Sequence, residues 1–121
     1  MNYEFDNDRP IYIQLVEIFK TYIISDKLKP NEKLLSVREF ASKFKVNPNT
    51  VMKALIELEK MGLVYTERTN GKFVTGNEAL INKLKEELIM DKINSFLTDM
   101  NNLGLRKDEI LYYLNKAKGE K

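Results

Sequence analysis

A chain of 121 residues with 31% charged and 43% hydrophobic side chains has the composition of one globular domain, or of one small domain with a helical appendage. It contains no His and no Cys, which excludes a disulfide framework, an imidazole or thiolate metal site, a Cys nucleophile and a Ser-His-Asp triad. The net charge of +2 is too small to announce a polyanion partner, but residues 27–53 hold Lys27, Lys29, Lys33, Arg38, Lys43, Lys45 and Lys53 against only Glu32 and Glu39. Such a local excess suits either a phosphate-binding face or a solvated, lysine-rich surface.

Residues 1–9 are polar, acidic and extended, with no hydrophobic stretch of the kind a signal peptide needs. Nor does any apolar run approach the roughly 20 residues of a membrane helix, so a soluble, cytoplasmic protein without a membrane partner is the expectation. Pro10 suits a first helical turn with Asp8 as its cap. Ile11, Leu15, Val16, Phe19, Tyr22 and Ile23 follow at helical spacing and predict a helix over 10–25. Leu28 to Leu35, with Pro30 and Asn31, is a connector that includes a very short strand at 33–35. Ser36 and Glu39 have the spacing of a capping box, and Val37, Phe40, Ala41 and Phe44 give the inward face of a short helix behind it.

Residues 45–47 break that helix, and a second begins at once, with Asn47 as N-cap and Pro48 as first helical residue. Val51, Ala54, Leu55 and Leu58 form its buried stripe and Gly62 ends it. Two short helices joined by about three residues are a helix-turn-helix pattern. Strand formers at 63–67, the turn dipeptide Asn70-Gly71 and a second strand at 72–75 then predict a β-hairpin. A helix-turn-helix followed at once by a hairpin is a winged helix. Beyond Gly76-Asn77 the composition changes. Residues 78–101 have no Gly or Pro and place apolar residues at helical spacing, Leu103-Gly104-Leu105 is a turn, and 107–118 predict a last helix. The fold class is therefore mainly α with a small β-hairpin: a winged helix-turn-helix over 1–76, followed by an α-helical hairpin over 77–121. This terminal hairpin cannot bury its apolar stripe against itself alone, so it needs the winged domain or a second chain.

Four stretches carry a resemblance: Lys29-Pro-Asn-Glu-Lys-Leu-Leu-Ser-Val-Arg-Glu-Phe-Ala41, Val46-Asn-Pro-Asn-Thr-Val51, Leu58-Glu-Lys-Met-Gly-Leu63 and Asn70-Gly-Lys-Phe-Val74. Together they resemble the winged-helix domain of GntR-type transcriptional regulators. The short two-helix tail, with Leu103-Gly-Leu-Arg-Lys-Asp-Glu-Ile110, is similar to the YtrA-type subfamily, whose tail mediates dimerisation. The chain departs from the family pattern where Gly is usual and Asn31 stands, where Pro is usual and Leu35 stands, and in the wing. There Thr69 and Lys72 replace a Gly and a Thr, and Lys72 adds a positive charge at the tip.

The resemblance implies a homodimeric repressor that binds an inverted-repeat operator in double-stranded DNA, and it matches Arg38 to an arginine that touches DNA. The residues support that chemistry. Arg38 can grip a phosphate or read guanine N7 and O6, its alternative being a surface pair with a nearby Glu. Asn47 caps its helix, which leaves Asn49 and Thr50 free to reach adenine and phosphate, with Lys53 one turn later. Lys43, like Lys45, flanks the turn and either holds the DNA backbone or is solvated. Arg68 and Lys72 offer charge on the wing, and Gly71 serves the turn and a close approach to a groove. In the tail, Leu84, Leu88, Phe96, Leu97, Leu111 and Leu114 are candidates for dimerisation or for intrachain core. Helix packing accounts for Tyr112 and Tyr113. The carboxylate pairs Glu86-Glu87 and Asp108-Glu109 are adjacent in helices and diverge, and no phosphate-cradling Gly loop exists. No enzymatic activity and no cofactor is expected. A winged helix that binds only protein is the alternative, disfavoured by the polar opening of its second motif helix. Nothing in the sequence selects a small-molecule effector.

Overall fold

A computed structural model describes residues 3–117. It divides into two compact units, one ending at Leu84 and the other beginning at Lys85.

The first unit opens with an extended segment that leads into α1 (Ile11–Ile24). Asp8 does not cap this helix. Pro10 occupies the N-cap position without a side-chain hydrogen bond, and the polar tie comes instead from Gln14, which is 1% exposed. Its Oε1 accepts the Asp6 backbone N–H at 2.8 Å, while its Nε2 donates to the carbonyls of Asp6 and Arg9, both at 2.9 Å. A buried amide with all these partners satisfied stabilises its site, whereas an unpaired one would be costly. Phe5 lies edge-on to Phe44 at 6.4 Å.

α2 (Val37–Phe44) starts with the capping box that its sequence spells. Ser36 Oγ accepts the Glu39 N–H at 3.1 Å, and the Glu39 carboxylate accepts the Ser36 N–H at 2.9 Å. The helix ends at Lys45, held at φ 59° in the left-handed region. Three residues later α3 (Pro48–Lys60) begins, with Asn47 Oδ1 accepting the Asn49 N–H at 2.7 Å. Gly62, at φ 78°, terminates α3, and the N–H of Leu63 reaches back to the Leu58 carbonyl at 3.0 Å.

The hairpin pairs β1 (Val64–Glu67) antiparallel with β2 (Gly71–Val74), in the register Val64–Val74 and Tyr65–Phe73. Its turn differs from the one predicted. Arg68, Thr69 and Asn70 form the loop, Asn70 N–H bonds to the Glu67 carbonyl at 3.1 Å, and Gly71 is the first strand residue at φ 109°. Thr69 is not among the positive-φ positions, so the loop does without the glycine usual there. The predicted strand at 33–35 is a single bridge, Lys33 to Phe73, flanked by Leu34 N–H to Lys72 O at 2.8 Å and Val74 N–H to Glu32 O at 2.9 Å. Asn31 sits at φ 66°, a conformation Asn tolerates better than other side-chain-bearing residues.

Phe19 of α1 is the centre of the core, edge-on to Phe40 at 5.0 Å and to Phe44 at 5.9 Å. Around it lie Leu15, Ile23, Val51, Leu55, Leu58, Leu63 and Val74, nearly all fully buried. Each such aliphatic or aromatic side chain contributes about 1.5–3 kcal/mol by leaving water.

The last helices are α4 (Glu78–Asn102), whose Leu80 N–H is capped by Asn77 Oδ1 at 3.1 Å, and α5 (Lys107–Lys116). The first turns of α4 belong to the winged-helix core: Ile81 is buried there, with Leu80 and Leu84 packed against it. The compact unit therefore runs past Gly76-Asn77, where composition alone placed the division. In the second unit, Gly104 at φ 87° turns the chain between α4 and α5. Among the described residues from 85 on, only Ile110 is buried. The predicted helix end at Lys118 lies outside the described residues.

Candidate nucleic-acid interface

At 3.6 residues per turn, Val51, Ala54, Leu55 and Leu58 hold α3 against the core, and the opposite face carries Asn49, Met52, Lys53, Ile56 and Lys60. All five of these are exposed, while Thr50, at the margin, is half-buried. Asn47 Oδ1 takes the Asn49 backbone N–H, while the Asn49 side-chain amide has no protein partner among the described residues. Lys53 is not simply solvated: its Nζ lies 4.4 Å from the centre of the Tyr12 ring, a cation–π contact that steadies the ammonium beside α1 without neutralising it.

Arg38 is the second residue of α2 and is exposed. The alternative of a surface ion pair is not realised among the described residues, where every ion pair involves other groups. Its neighbour Glu39 is engaged by the cap. The Ser36 backbone N–H, then the Ser36 hydroxyl, hold the Glu39 carboxyl below its ordinary range, and Lys43 and Lys33 add to this. Lys43 and Lys45 are exposed on either side of the motif turn.

In the wing, Arg68 is exposed in the loop, and Gly71 sits where a side chain would be strained by its φ and would meet the Lys33 stem at 3.3 Å. Lys33 therefore lies alongside the wing, a neighbour that counting charges along the chain does not reveal. Lys72 has a different environment from the free tip charge its position suggests. It is half-buried, with Nζ 3.3 Å from Glu59 Oε1 and 2.9 Å from Thr66 Oγ1, and the Thr66 hydroxyl donates to Glu59 Oε2. The triad joins α3 to both strands. The Thr66 hydrogen bond first, then the Lys72 hydrogen bond and charge, keep the Glu59 carboxyl below its ordinary value, against an opposing effect of burial. Elsewhere on the wing, Tyr65 stacks on Phe73 at 5.5 Å, a cross-strand pair that stiffens the hairpin.

Of the tail candidates, Leu84 packs on the winged-helix core, Leu88 and Leu97 are half-buried, and Phe96, Leu111 and Leu114 are exposed. Ile89, Met90, Ile93, Tyr112 and Tyr113 are exposed large apolar residues in the same two helices.

Residues 11–74, which contain every element from α1 to β2, match the family model of bacterial regulatory proteins of the gntR family. The chain belongs to the GntR family. It is 36% identical over 111 residues, 92% of either chain, to the uncharacterized HTH-type transcriptional regulator YhcF of Bacillus subtilis. It is 30% identical to the HTH-type transcriptional repressor YtrA of the same organism, covering 92% of this chain and 86% of that one. A GntR family transcriptional regulator from Listeria monocytogenes superposes with a TM-score of 0.88 at 36% identity, over 94% of this chain and all of that one. The DNA-binding domain of AraR, solved in complex with operator ORR3, matches 62% of this chain and 88% of its own at 31% identity and a TM-score of 0.53. GntR-family membership makes this chain a DNA-binding transcriptional regulator of the winged-helix class and not an enzyme.

Proposed function

We propose that the chain is a homodimeric repressor that binds an inverted-repeat operator, with α3 in the major groove and the β1–β2 wing against the flanking backbone. The observation that carries this reading is the outward face of α3: it is solvent-exposed opposite the core stripe, starts with Asn49 and bears Lys53, and the exposed Arg38 of α2 makes no ion pair among the described residues. Asn49 suits adenine, Thr50 and the helix N-terminus suit a phosphate, and Arg38 suits guanine or phosphate. Lys43 and Arg68 supply further phosphate contacts, and Gly71 lets the wing backbone approach a groove. Lys72 holds the wing in place through Glu59. The operator complex of the similar AraR domain and the repressor function of the similar YtrA support the same reading.

Dimerisation falls to the tail. Leu88, Phe96, Leu97, Leu111 and Leu114, together with Ile93 and the two tyrosines of α5, offer more apolar surface than a lone hairpin can bury. A two-fold dimer presents two recognition helices to half-sites about one DNA turn (~10 bp) or a multiple apart. Selection of bound sequences from a random duplex library, followed by a salt titration on the enriched site, tests this. An inverted repeat bound with steeply salt-dependent affinity is the expected result. A folded, dimeric sample that enriches no sequence would overturn the operator-binding reading.

A further inference from the structure

On a face expected to meet a polyanion, two of the five outward residues of α3 are apolar. Met52 and Ile56 are each 42% exposed, and neither belongs to the core cluster or to the apolar side chains packed against it. They are one turn apart, about 6 Å along the axis, on the same strip as Asn49 and Lys53. Their exposure forgoes part of the stabilisation that burying two large side chains would bring, and neither draws a phosphate. In a major groove the base edges are hydrogen-bonding groups with one exception, the C5-methyl of thymine.

We infer that Met52 is a specificity-determining residue that packs on the C5-methyl of a thymine in each half-site, with Ile56 closing the contact from the next turn. This rests on α3 being the recognition helix. Met52 follows Asn49 by three residues, so the side chain that suits adenine and the one that suits a thymine methyl lie side by side on the N-terminal half of the helix, the part a recognition helix inserts. An unbranched thioether side chain adapts to the methyl without demanding one rotamer. The half-site should therefore contain a thymine whose contribution comes from its methyl and not from its O4 or its pairing.

The test uses the full chain and the operator enriched in the selection, re-synthesised with deoxyuridine replacing one thymine of the half-site at a time, in both half-sites together. Uracil pairs as thymine does and lacks only the methyl. Wild type is expected to lose about fourfold in affinity per half-site at one position, the equivalent of one buried methyl-sized group. Met52→Ala should bind thymine and uracil operators equally at that position, while Met52→Leu should recover the preference. Wild type indifferent to every methyl, with tight operator binding intact, would overturn this inference and leave the recognition-helix reading standing. A thymine preference retained by Met52→Ala would overturn it equally. Failure of wild type to bind any duplex would remove the recognition-helix reading and this inference with it.

Discussion

Replacing Glu59 with Gln separates what the α3–wing triad does from what a free surface carboxylate would do. The substitution keeps the shape and an acceptor for Thr66, but removes the charge opposite Lys72 and places an amide where the ammonium approaches. Exposed ion pairs are worth about 0.2–1 kcal/mol and hydrogen bonds to charged groups about 1.5–3 kcal/mol. The Glu59 and Lys72 side chains retain 31% and 24% exposure, so the triad sits between those limits, at about 1.5 kcal/mol. With a urea slope of about 1.5 kcal/mol per molar, the midpoint should fall by about 1 M at pH 7. The pH dependence has a fixed sign. The Glu59 carboxyl titrates below its ordinary value of 4.5 in the folded chain, so its stabilisation is fully present above that value and is lost as pH falls through the lower, folded one. Urea melts of wild type and Glu59→Gln should therefore differ most above pH 4.5, with the gap narrowing as the pH is lowered stepwise into the acid range. Equal midpoints at pH 7 would mean that the Glu59 charge does not fasten the wing to α3.

Other substitutions address the interface. Arg38→Ala and Asn49→Ala should each weaken binding to the enriched operator by about 1–3 kcal/mol, with thermal melting unchanged because neither side chain supports the fold; operator affinity equal to wild type in both would remove α3 and the start of α2 from the contact. Lys43→Ala should weaken binding to all duplexes alike and flatten the salt dependence by about one unit of slope, which a salt titration on operator and on random duplex reads directly. Leu114, 52% exposed on α5, tests the tail: Leu114→Asp should shift sedimentation toward the monomer without loss of helicity, and an unchanged dimer would take it out of the interface.

What is legible in the sequence is whatever a few neighbouring residues decide among themselves. Ser36 and Glu39 bond to each other's backbone, Asn47 caps the helix it precedes, and Gly62 ends the helix it follows, so the helix-turn-helix and its order with the hairpin can be read directly. Gln14 cannot, because its partners are backbone groups that only the path of residues 6–9 brings near. For the same reason Asp8 has the position of a cap and is none. Lys72 is thirteen residues from Glu59, and its apparent freedom at the wing tip disappears once the hairpin folds onto α3. Met52 and Ile56 are within reach of the sequence, since a helical projection of 48–60 places them opposite the core stripe. Charge and hydrogen-bonding capacity, the usual marks of a DNA contact, do not single them out. The tail stays divided between core and interface because helical spacing states which side chains share a face, not what covers them. The structure draws Leu84 into the winged-helix core.

The buried Gln14 amide also decides where a working DNA-binding fragment begins. The family match spans 11–74, and a fragment cut to those limits contains every element from α1 to β2. It would strip the backbone of Asp6 and Arg9 from Gln14, and the side-chain amide would lose all three of its hydrogen bonds within the protein. At the other end it would uncover the surface that Leu80, Ile81 and Leu84 close. The segment by which relatives are recognised is thus shorter than the stretch from Asp6 to Leu84 that fastens the winged helix at its two ends.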